Sequence, residues 1–342
     1  MKVLDLFCGC GGLSLGLEQS GFDVALGIDI WKDALTTFEA NHTNSKTLCT
    51  DLSGVDFDDL KSNYLHDGVD VIVGGPPCQG FSISGKRDPD DPRNKLYTSF
   101  LKAVDFFKPK AFIMENVPNL ASMSNGKIKE TIISEFEDIG YTISCQKLLA
   151  SDFGVPQNRR RFIMVGLLQD RKFEFPEPTH DKDKISCHDA ISDLPENTLE
   201  DGSSYPIEEL TEFQKMVRTG SRGVFNHQTT QHTDKTVSII SLVPDGGNYK
   251  DLPEEYKGTR NVNIAWTRYA SDKPSLTIDT GHRHHFHYKF NRVPTVRESA
   301  RLQSFPDDFV FHCSKTSQYK QVGNAVPPML GKALGEQLIK FI

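Results

Sequence analysis

One cysteine stands in a run of residues that would fix its position. Residues 74–82 read Gly-Gly-Pro-Pro-Cys-Gln-Gly-Phe-Ser and follow the apolar run 69–73, so Cys78 lies where a predicted strand ends. Enzymes with parallel sheets bind their ligands at that end of the strands. A free thiol has a pKa of about 8.5, so a nucleophile here needs nearby positive charge or help from the substrate. The pattern indicates nucleophilic chemistry at Cys78, although an inert, half-buried thiol would fit the same residues.

A carboxylate and a basic cluster stand beside two other apolar runs. Glu115 follows the run 111–114, and the carboxyl ends of adjacent parallel strands would bring it beside Cys78. A carboxylate does not help a thiol to ionise, but it can hold or protonate a ring nitrogen of a substrate. Arg159 and Arg161 precede a further apolar run, and strand alternation would place them on one face. There they could hold the substrate or offset charge near Cys78.

A glycine-rich turn follows the first apolar run and opens a helical pattern. Residues 5–12 read Asp-Leu-Phe-Cys-Gly-Cys-Gly-Gly, and glycines there let the backbone turn sharply and approach a ligand closely. About twenty residues later Asp29 ends the second predicted strand, where it could accept hydrogen bonds from a ribose. These features are compatible with a nucleoside ligand and equally with an ordinary tight turn. Cys8 and Cys10 are interpreted as small loop residues, because no second Cys or His pair has zinc-like spacing.

Apolar runs and amphipathic stretches alternate over the first 170 residues, which is typical of βα units around a parallel sheet. The predicted strands are residues 3–7, 24–29, 69–74, 111–114 and 162–168, and the predicted helices include 34–40, 96–107 and 128–138. Irregular sequence follows from about residue 173 to 290, and then helical patterns at 296–303 and 328–342. The sequence predicts an α/β domain that is interrupted by an insertion.

The composition excludes several classes of protein. Of 342 residues, 37% are hydrophobic and 25% charged, and no apolar run reaches the roughly 18 residues of a membrane span. Asp5 falls where a secretory signal would be apolar, and seven scattered cysteines suit a reducing cytoplasm. Taken alone, the formal net charge of −7 argues against nucleic acid as the partner of this protein. Residues 213–297, however, hold 13 Lys and Arg against 7 Asp and Glu, so a basic segment of +6 joins a body of −13.

Eight short blocks, in order and with fitting spacing, show that the chain resembles bacterial DNA (cytosine-5)-methyltransferases. They are residues 5–12, Asp29, Asp51, 76–79, 115–117, 157–161, 297–306 (Arg-Glu-Ser-Ala-Arg-Leu-Gln-Ser-Phe-Pro) and 321–328 (Gln-Val-Gly-Asn-Ala-Val-Pro-Pro). The resemblance runs from residue 3 to about 335 and leaves out only 172–290. It implies a Rossmann-like S-adenosylmethionine-dependent methyltransferase domain with a smaller, irregular target-recognition domain.

The resemblance also implies a cofactor site, in which S-adenosylmethionine is bound and leaves as S-adenosylhomocysteine. Its implied residues are Phe7, Gly9, Gly11, Asp29, Ile30, Asp51, Leu52, Pro77, Leu96, Asn324 and Val326. Asp29 would hold the ribose hydroxyls, Ile30 would pack on the adenine, and Asp51 would meet the adenine edge. Many members have Glu where this chain has Asp29, and both side chains can accept hydrogen bonds from a diol.

The implied reaction is methylation of carbon 5 of a specific cytosine in double-stranded DNA. Cys78 would add to carbon 6 of the ring, Glu115 would hold N3 and the exocyclic amine, and Arg161 with Arg159 would contact O2. A stacked base cannot reach Cys78, so the cytosine must be flipped out of the duplex. The residues that the resemblance places against DNA, on or beside a loop that could close over the base, are Gln79, Ser82, Lys86, Arg87 and Arg93.

Three segments are predicted: 1–172 for catalysis and cofactor binding, 173–290 for target recognition, and 291–342 returning to the catalytic domain. Arg suits guanine, and Asn or Gln suits adenine, in the major groove. The second segment offers such residues without favouring any of them: Arg222, Lys235, Lys250, Arg260, Arg268, Lys273, Arg283, Asn226, Gln228, Gln231 and Asn248. The histidine-rich run 281–287 is interpreted as polar loop and strand residues near DNA, because no acid or cysteine completes a metal site.

Two other functions are compatible with the sequence. A tRNA cytosine-5 methyltransferase would share the chemistry, but that branch typically carries a Cys-Phe-Thr tripeptide, which this sequence lacks. A catalytically silent DNA-binding protein would not need Cys78, Glu115 and Arg161 intact. The preferred hypothesis is a monomeric, cytoplasmic, nucleoid-associated enzyme without membrane contact. It would act on double-stranded DNA, either alone or with a cognate restriction endonuclease.

Overall fold

The chain forms two compact units. The computed structural model describes residues 1–77, 94–257, 266–281 and 284–342, with the backbone alone at 94, 95 and 257. Unit 1 comprises Met1–Leu149, Arg160–Glu177 and Leu330–Ile342, and unit 2 comprises Ala150–Arg159 and Pro178–Met329.

Unit 1 is built on a seven-stranded sheet in the order β3-β2-β1-β4-β5-β7-β6. The strands are β1 Lys2–Leu6, β2 Asp23–Asp29, β3 Lys46–Cys49, β4 Val71–Gly74, β5 Ala111–Asn116, β6 Thr142–Leu149 and β7 Arg160–Leu167. The first five pair in parallel, whereas β7 runs antiparallel to both β5 and β6. The carboxyl ends of β1, β4 and β5 therefore lie side by side, at the edge where parallel sheets bind ligands.

The twelve α-helices of the described residues alternate with strands in the first half of the chain and predominate in the second. They are α1 Gly12–Gln19, α2 Lys32–Asn41, α3 Phe57–Asn63, α4 Asn94–Phe107, α5 Lys127–Asp138, α6 Cys187–Ile191, α7 Glu212–Arg218, α8 Asp234–Ser241, α9 Glu254–Lys257, α10 Val296–Leu302, α11 Lys315–Asn324 and α12 Pro328–Leu338. Among all the residues that the structure describes, no helix is long and apolar enough to span a membrane.

An aromatic cluster joins the sheet of unit 1 to two of its helices. Phe112 on β5 lies 4.2 Å, centroid to centroid, from Phe136 on α5 and 5.9 Å from Phe100 on α4. Tyr141 packs on the same ring at 5.4 Å. All four side chains are buried, and such ring pairs stabilise a core beyond the apolar area that they bury.

The prediction of an α/β domain is confirmed, and two strands of its seven-stranded sheet were not predicted. β3 and β6 are the outermost strands of the sheet. Their side chains are mostly half-buried or exposed, so their sequences, Lys-Thr-Leu-Cys and Thr-Ile-Ser-Cys-Gln-Lys-Leu-Leu, lack the continuous apolar run of the central strands.

The boundary between the units differs from the predicted one. Residues 291–329 belong to unit 2, and the chain returns to unit 1 at Leu330 rather than at 291. The physical reason is that α10 packs on α6 and α11, both within unit 2. Residues 173–177 stay in unit 1, where Phe173 packs on Phe341 at 5.1 Å.

Buried ion pairs organise unit 2. Arg301 on α10 is fully buried and donates to Asp307 through Nε and Nη2, and to Asp193 through Nη1 at 2.5 Å. Glu298, one turn earlier, binds Arg292 with both oxygens, at 2.7 and 2.8 Å. Burial disfavours the charge of Glu298, yet the Arg292 guanidinium holds its pKa well below the usual range. Two residues of the block 297–306, Glu298 and Arg301, thus form buried ion pairs with partners outside it, as buried charges require.

A tight cross-strand contact gives a test of the sheet. Phe112 on β5 pairs directly with Gly166 on β7, and a Cβ built at Gly166 would lie 2.1 Å from the Phe112 ring. We expect Gly166→Ala to lower the free energy of unfolding by about 1–3 kcal/mol, because the packed ring cannot move aside. The control is Gly54→Ala, where a Cβ meets nothing within 4 Å. Denaturant unfolding of both variants measures the difference, and equal stabilities would contradict this packing.

Candidate active site

An ion pair lies at the carboxyl end of β5. Glu115 pairs with Ile163 across the antiparallel β5–β7 ladder, so Arg161, two residues along β7, lies diagonally opposite on the same face. Arg161 Nε is 2.5 Å from Glu115 Oε1, and each side chain is largely buried, with 13% and 14% exposed. The arrangement presents a carboxylate and a guanidinium together at the ligand-binding edge of the sheet.

The next residue of β5 holds the loop that leads to Cys78. Asn116 is buried, and its Nδ2 donates to the carbonyl oxygen of Pro76 at 2.9 Å. On the same loop, a Cβ at Gly75 would lie 3.0 Å from Glu115 Oε2, so the backbone passes close to the carboxylate. The sequence argument gave Asn116 no role, although its place in the block 115–117 was the available signal.

Several predicted residues of this loop lie outside the described part of the chain. These are Cys78, Gln79, Ser82, Lys86, Arg87 and Arg93. Pro77, the last described residue before them, is exposed.

Arg159 occupies a different setting from Arg161. The alternation that was predicted to put them on one face does not apply, because β7 begins at Arg160. Arg159 belongs to unit 2 and is 1% exposed, and its Nη2 donates to the carbonyl oxygen of Gly323 at 2.9 Å. It therefore supports the end of α11, directly before Asn324.

The glycine-rich turn after β1 is held by Asp29. Asp29 Oδ2 accepts from the backbone N–H of Gly9, and Oδ1 accepts from that of Trp31, both at 2.8 Å. Phe7, Gly9 and Gly11 have φ values of +62°, +55° and +92°, the left-handed region that favours glycine. Asp29 thus ties the turn to the end of β2.

The other predicted cofactor residues of unit 1 differ in exposure. Ile30 is 69% exposed, which is unusual for a large apolar side chain beside buried strands, whereas Leu52 is buried and Leu96 half-buried. The exposed Asp51 accepts from the N–H of Ser53 at 2.9 Å, and this hydrogen bond lowers the pKa of its carboxyl.

The remaining two predicted cofactor residues, Asn324 and Val326, lie in unit 2. Asn324 is the exposed last residue of α11, and Val326 is buried. Ahead of them, a Cβ at Gly323 would lie 2.8 Å from the backbone oxygen of Asp279, so α11 ends in close contact with that segment.

Two cysteines of the turn after β1 and one acid of β1 are buried. Burial raises the pKa of Cys10 to about 12 and that of Cys8 well above its usual value, so both thiols stay neutral. Asp5 is fully buried, and its Oδ2 accepts from Ser14 Oγ at 2.6 Å. Burial raises the pKa of Asp5 to about 7, with a further contribution from the negative charge of Asp29.

One candidate base-reading residue is a structural support of unit 2. Arg268, on β8 Thr267–Arg268, is 5% exposed. Its guanidinium donates to the carbonyl oxygens of Val243, Ile240, His287 and Phe290 and to Asn291 Oδ1, at 2.7–3.2 Å. All three guanidinium nitrogens, Nε, Nη1 and Nη2, thereby donate hydrogen bonds within the protein. This placement makes Arg268 unsuited to reading a base.

The described histidines of the run 281–287 are largely internal. His285, on β9 His285–Phe286, stacks on Tyr269 with centroids 5.3 Å apart. His287 is buried, and its Nδ1 accepts from the N–H groups of Lys289 and Phe290. Burial lowers the pKa of His287 to about 4, so it is neutral at physiological pH.

Comparison with known proteins defines the class. The strand order, the antiparallel β7 and the turn after β1 are those of a Rossmann-like methyltransferase fold. A prophage-encoded Escherichia coli protein described as a DNA modification methyltransferase has the same fold, with a TM-score of 0.81, 29% identity and 99% of both chains covered. Dnmt2 of S. pombe, with a TM-score of 0.63, 18% identity and coverage of 99% of this chain and 98% of that chain, shares the fold alone.

The family follows from the sequence matches. The profile of C-5 cytosine-specific DNA methylases matches residues 1–340. The type II methyltransferase M1.HphI of Haemophilus parahaemolyticus is 39% identical over 100% of this chain and 87% of its own length. M.DdeI of Desulfomicrobium norvegicum is 38% identical over 99% of this chain and 88% of its own length. The chain belongs to the C-5 cytosine-specific DNA methylase family, as the resemblance of its eight blocks predicted.

The raised pKa of Asp5 predicts how stability varies with pH. The folded protein keeps the Asp5 carboxyl protonated up to about pH 7, whereas the unfolded chain releases this proton near the usual aspartate pKa of 3.8. The stabilisation that the protonated Asp5 carboxyl gives the folded state is therefore complete below pH 3.8 and is lost as the pH rises through about 7. As the pH rises from 5 to 8, we expect the free energy of unfolding of Asp5→Asn to increase by about 2 kcal/mol relative to that of the wild type. The reason is that the amide carries no charge to bury.

Thermal or denaturant unfolding at the two pH values measures this gain. A stability difference between Asp5→Asn and the wild type that stays constant from pH 5 to 8 would contradict the assignment.

Proposed function

We propose that this chain transfers a methyl group from S-adenosylmethionine to carbon 5 of a specific cytosine in double-stranded DNA. The observation that carries the proposal is the contact between Glu115 and Arg161 beside the loop that Asn116 fixes ahead of Cys78. A carboxylate acceptor and a guanidinium side by side at this edge of the sheet support binding of a flipped cytosine ring there. Membership of the cytosine-specific methylase family supports the same reaction.

The residues after β1 and β2 fit the cofactor. A Cβ at Gly9 would meet nothing within 4 Å, so the turn borders open space that a ligand can fill. Ile30 offers an exposed apolar surface for the adenine, and Asp29 has carboxylate lone pairs for the ribose hydroxyls beside those used by Gly9 and Trp31. When bound, S-adenosylmethionine supplies an electrophilic methyl group on a sulfonium. Phe7, Gly11, Asp51, Leu52, Pro77, Leu96, Asn324 and Val326 would complete its site.

The chemistry requires carbon 5 of cytosine to become electron-rich. Cys78, as the thiolate, would form a bond to carbon 6, and the electron pair of the 5–6 double bond moves towards carbon 5. Glu115 would accept from the exocyclic amine and share a proton with N3, which spreads the negative charge of the ring. Arg161 would contact O2 and support the thiolate, whereas the buried Arg159 binds the Gly323 carbonyl and would act only by supporting α11. After carbon 5 has gained the methyl group, a solvent-derived base removes its proton and Cys78 leaves with its electron pair.

DNA must be reshaped for this reaction. Unstacking and flipping the cytosine costs a few kcal/mol, which contacts to the phosphates can offset. Gln79, Ser82, Lys86, Arg87 and Arg93 would provide these contacts as the loop closes. Residues 173–290 would select the target sequence, with exposed basic side chains such as Arg222, Lys235 and Lys250 facing the duplex.

The cellular context is proposed from the relatives. Both relatives are named type II methyltransferases, so we infer a modification enzyme of a restriction-modification system, or one that acts alone. It would work as a cytoplasmic, nucleoid-associated monomer, and a cognate endonuclease would share its DNA sequence without a stable complex.

Covalent trapping tests the nucleophile. We expect purified protein, with S-adenosylmethionine, to become linked to duplex DNA that carries 5-fluorocytosine at the target position. The fluorine cannot leave as a proton does, so Cys78 stays bonded to carbon 6. A shifted band on a denaturing gel measures the adduct, and Cys78→Ala should give none. Trapping that persists in Cys78→Ala would sink the assignment, and Cys49→Ala at an exposed cysteine serves as the control.

A further inference from the structure

A buried histidine lies directly against the glycine-rich turn after β1. A Cβ built at Gly11 would be 2.1 Å from His42 Nε2 and 2.7 Å from His42 Cδ2. His42 follows the last residue of α2 and is 2% exposed. The imidazole edge therefore occupies the space that any side chain at Gly11 would need.

Three contacts fix the position of this imidazole. His42 Nδ1 lies 2.7 Å from Glu18 Oε2, and since a carboxylate can only accept, Nδ1–H donates. The ring packs on Phe38 with centroids 4.1 Å apart, and the backbone N–H of His42 donates to the Phe38 oxygen at 2.8 Å. Glu18 belongs to α1, the helix that begins immediately after the turn. His42 thus links the end of α2 to Gly11 in the turn and to Glu18 near the end of α1.

We propose that His42, oriented by Glu18, is a positioning residue that holds Gly11 in its left-handed conformation for binding of the cofactor. The inference rests on the proposed function, because it assumes that this turn binds S-adenosylmethionine. Asp29 restrains the turn by a hydrogen bond at Gly9, and His42 packs against it at Gly11. A turn held at both points is preorganised, and preorganisation strengthens ligand binding by reducing the ordering that binding requires.

The first test measures affinity for S-adenosylhomocysteine by titration calorimetry. We expect His42→Ala to weaken binding about tenfold, whereas affinity for duplex DNA stays as in the wild type. Glu18→Ala should weaken binding in the same direction. Glu18→Gln should restore it, because its amide oxygen still accepts from Nδ1–H. Thr36→Ala, on the exposed face of α2, is the matched control and should bind normally.

A double-mutant cycle separates positioning from general damage. Gly11→Ala alone should weaken binding strongly, since its methyl group meets the imidazole. His42→Ala removes the two closest of the three atoms that the methyl group meets and leaves Phe38 Cδ2 at 2.8 Å. The combined loss in Gly11→Ala/His42→Ala should therefore be smaller than the product of the single losses by about fivefold or more.

The outcomes distinguish this inference from the proposed function. If wild-type protein does not bind S-adenosylhomocysteine, the cofactor assignment itself fails. If the wild type binds and the His42 and Glu18 variants bind equally well, or the cycle is multiplicative, the positioning role is overturned. Thermal unfolding checks each variant, and should His42→Ala not fold, the contrast between Glu18→Ala and Glu18→Gln decides.

Discussion

The contact between Glu115 and Arg161 depends on the register of two strands. β5 is the last parallel strand of the series, and β7 enters the sheet antiparallel beside it, with Glu115 opposite Ile163. Only that register places Arg161, near the amino end of β7, diagonally opposite Glu115, near the carboxyl end of β5. A slip of one residue would turn Arg161 to the opposite face and leave Glu115 without its cation. The aromatic–glycine pairing of Phe112 and Gly166 further along the same ladder opposes such a slip.

Backbone restraint is the second common feature of the site. Polar side chains hold the loops that follow β4 and β1 in unit 1: Asn116 binds the Pro76 carbonyl, and Asp29 binds the N–H groups of Gly9 and Trp31. In unit 2, Arg159 holds the Gly323 carbonyl ahead of Asn324. Each of these side chains binds main-chain atoms and thereby fixes the position of the neighbouring residues. Rigid support of this kind is what a site that must align reacting atoms within a fraction of an ångström needs.

The sequence was sufficient for the central fold because its parallel strands are continuous apolar runs, and for the family because its short blocks stand in the family's order. It did not predict β3 and β6, whose half-exposed side chains break the apolar pattern. Nor did it predict that residues 291–329 stay in unit 2, because that depends on contacts of α10 with distant helices. Arg268 appeared in the sequence as one surface cation among several, and only the fold reveals its carbonyl partners. Long-range contacts leave no local signal, which is why such roles escaped prediction.

The most direct test of the central claim compares wild-type protein with Glu115→Gln on duplex DNA. Purified protein is incubated with DNA and S-adenosylmethionine over a time course, and bisulfite sequencing locates 5-methylcytosine. The wild type should methylate cytosines in one sequence context, and Glu115→Gln should do so at least about a hundredfold more slowly while remaining folded. Absence of methylation by folded wild-type protein, or equal rates for the two proteins, would contradict the account.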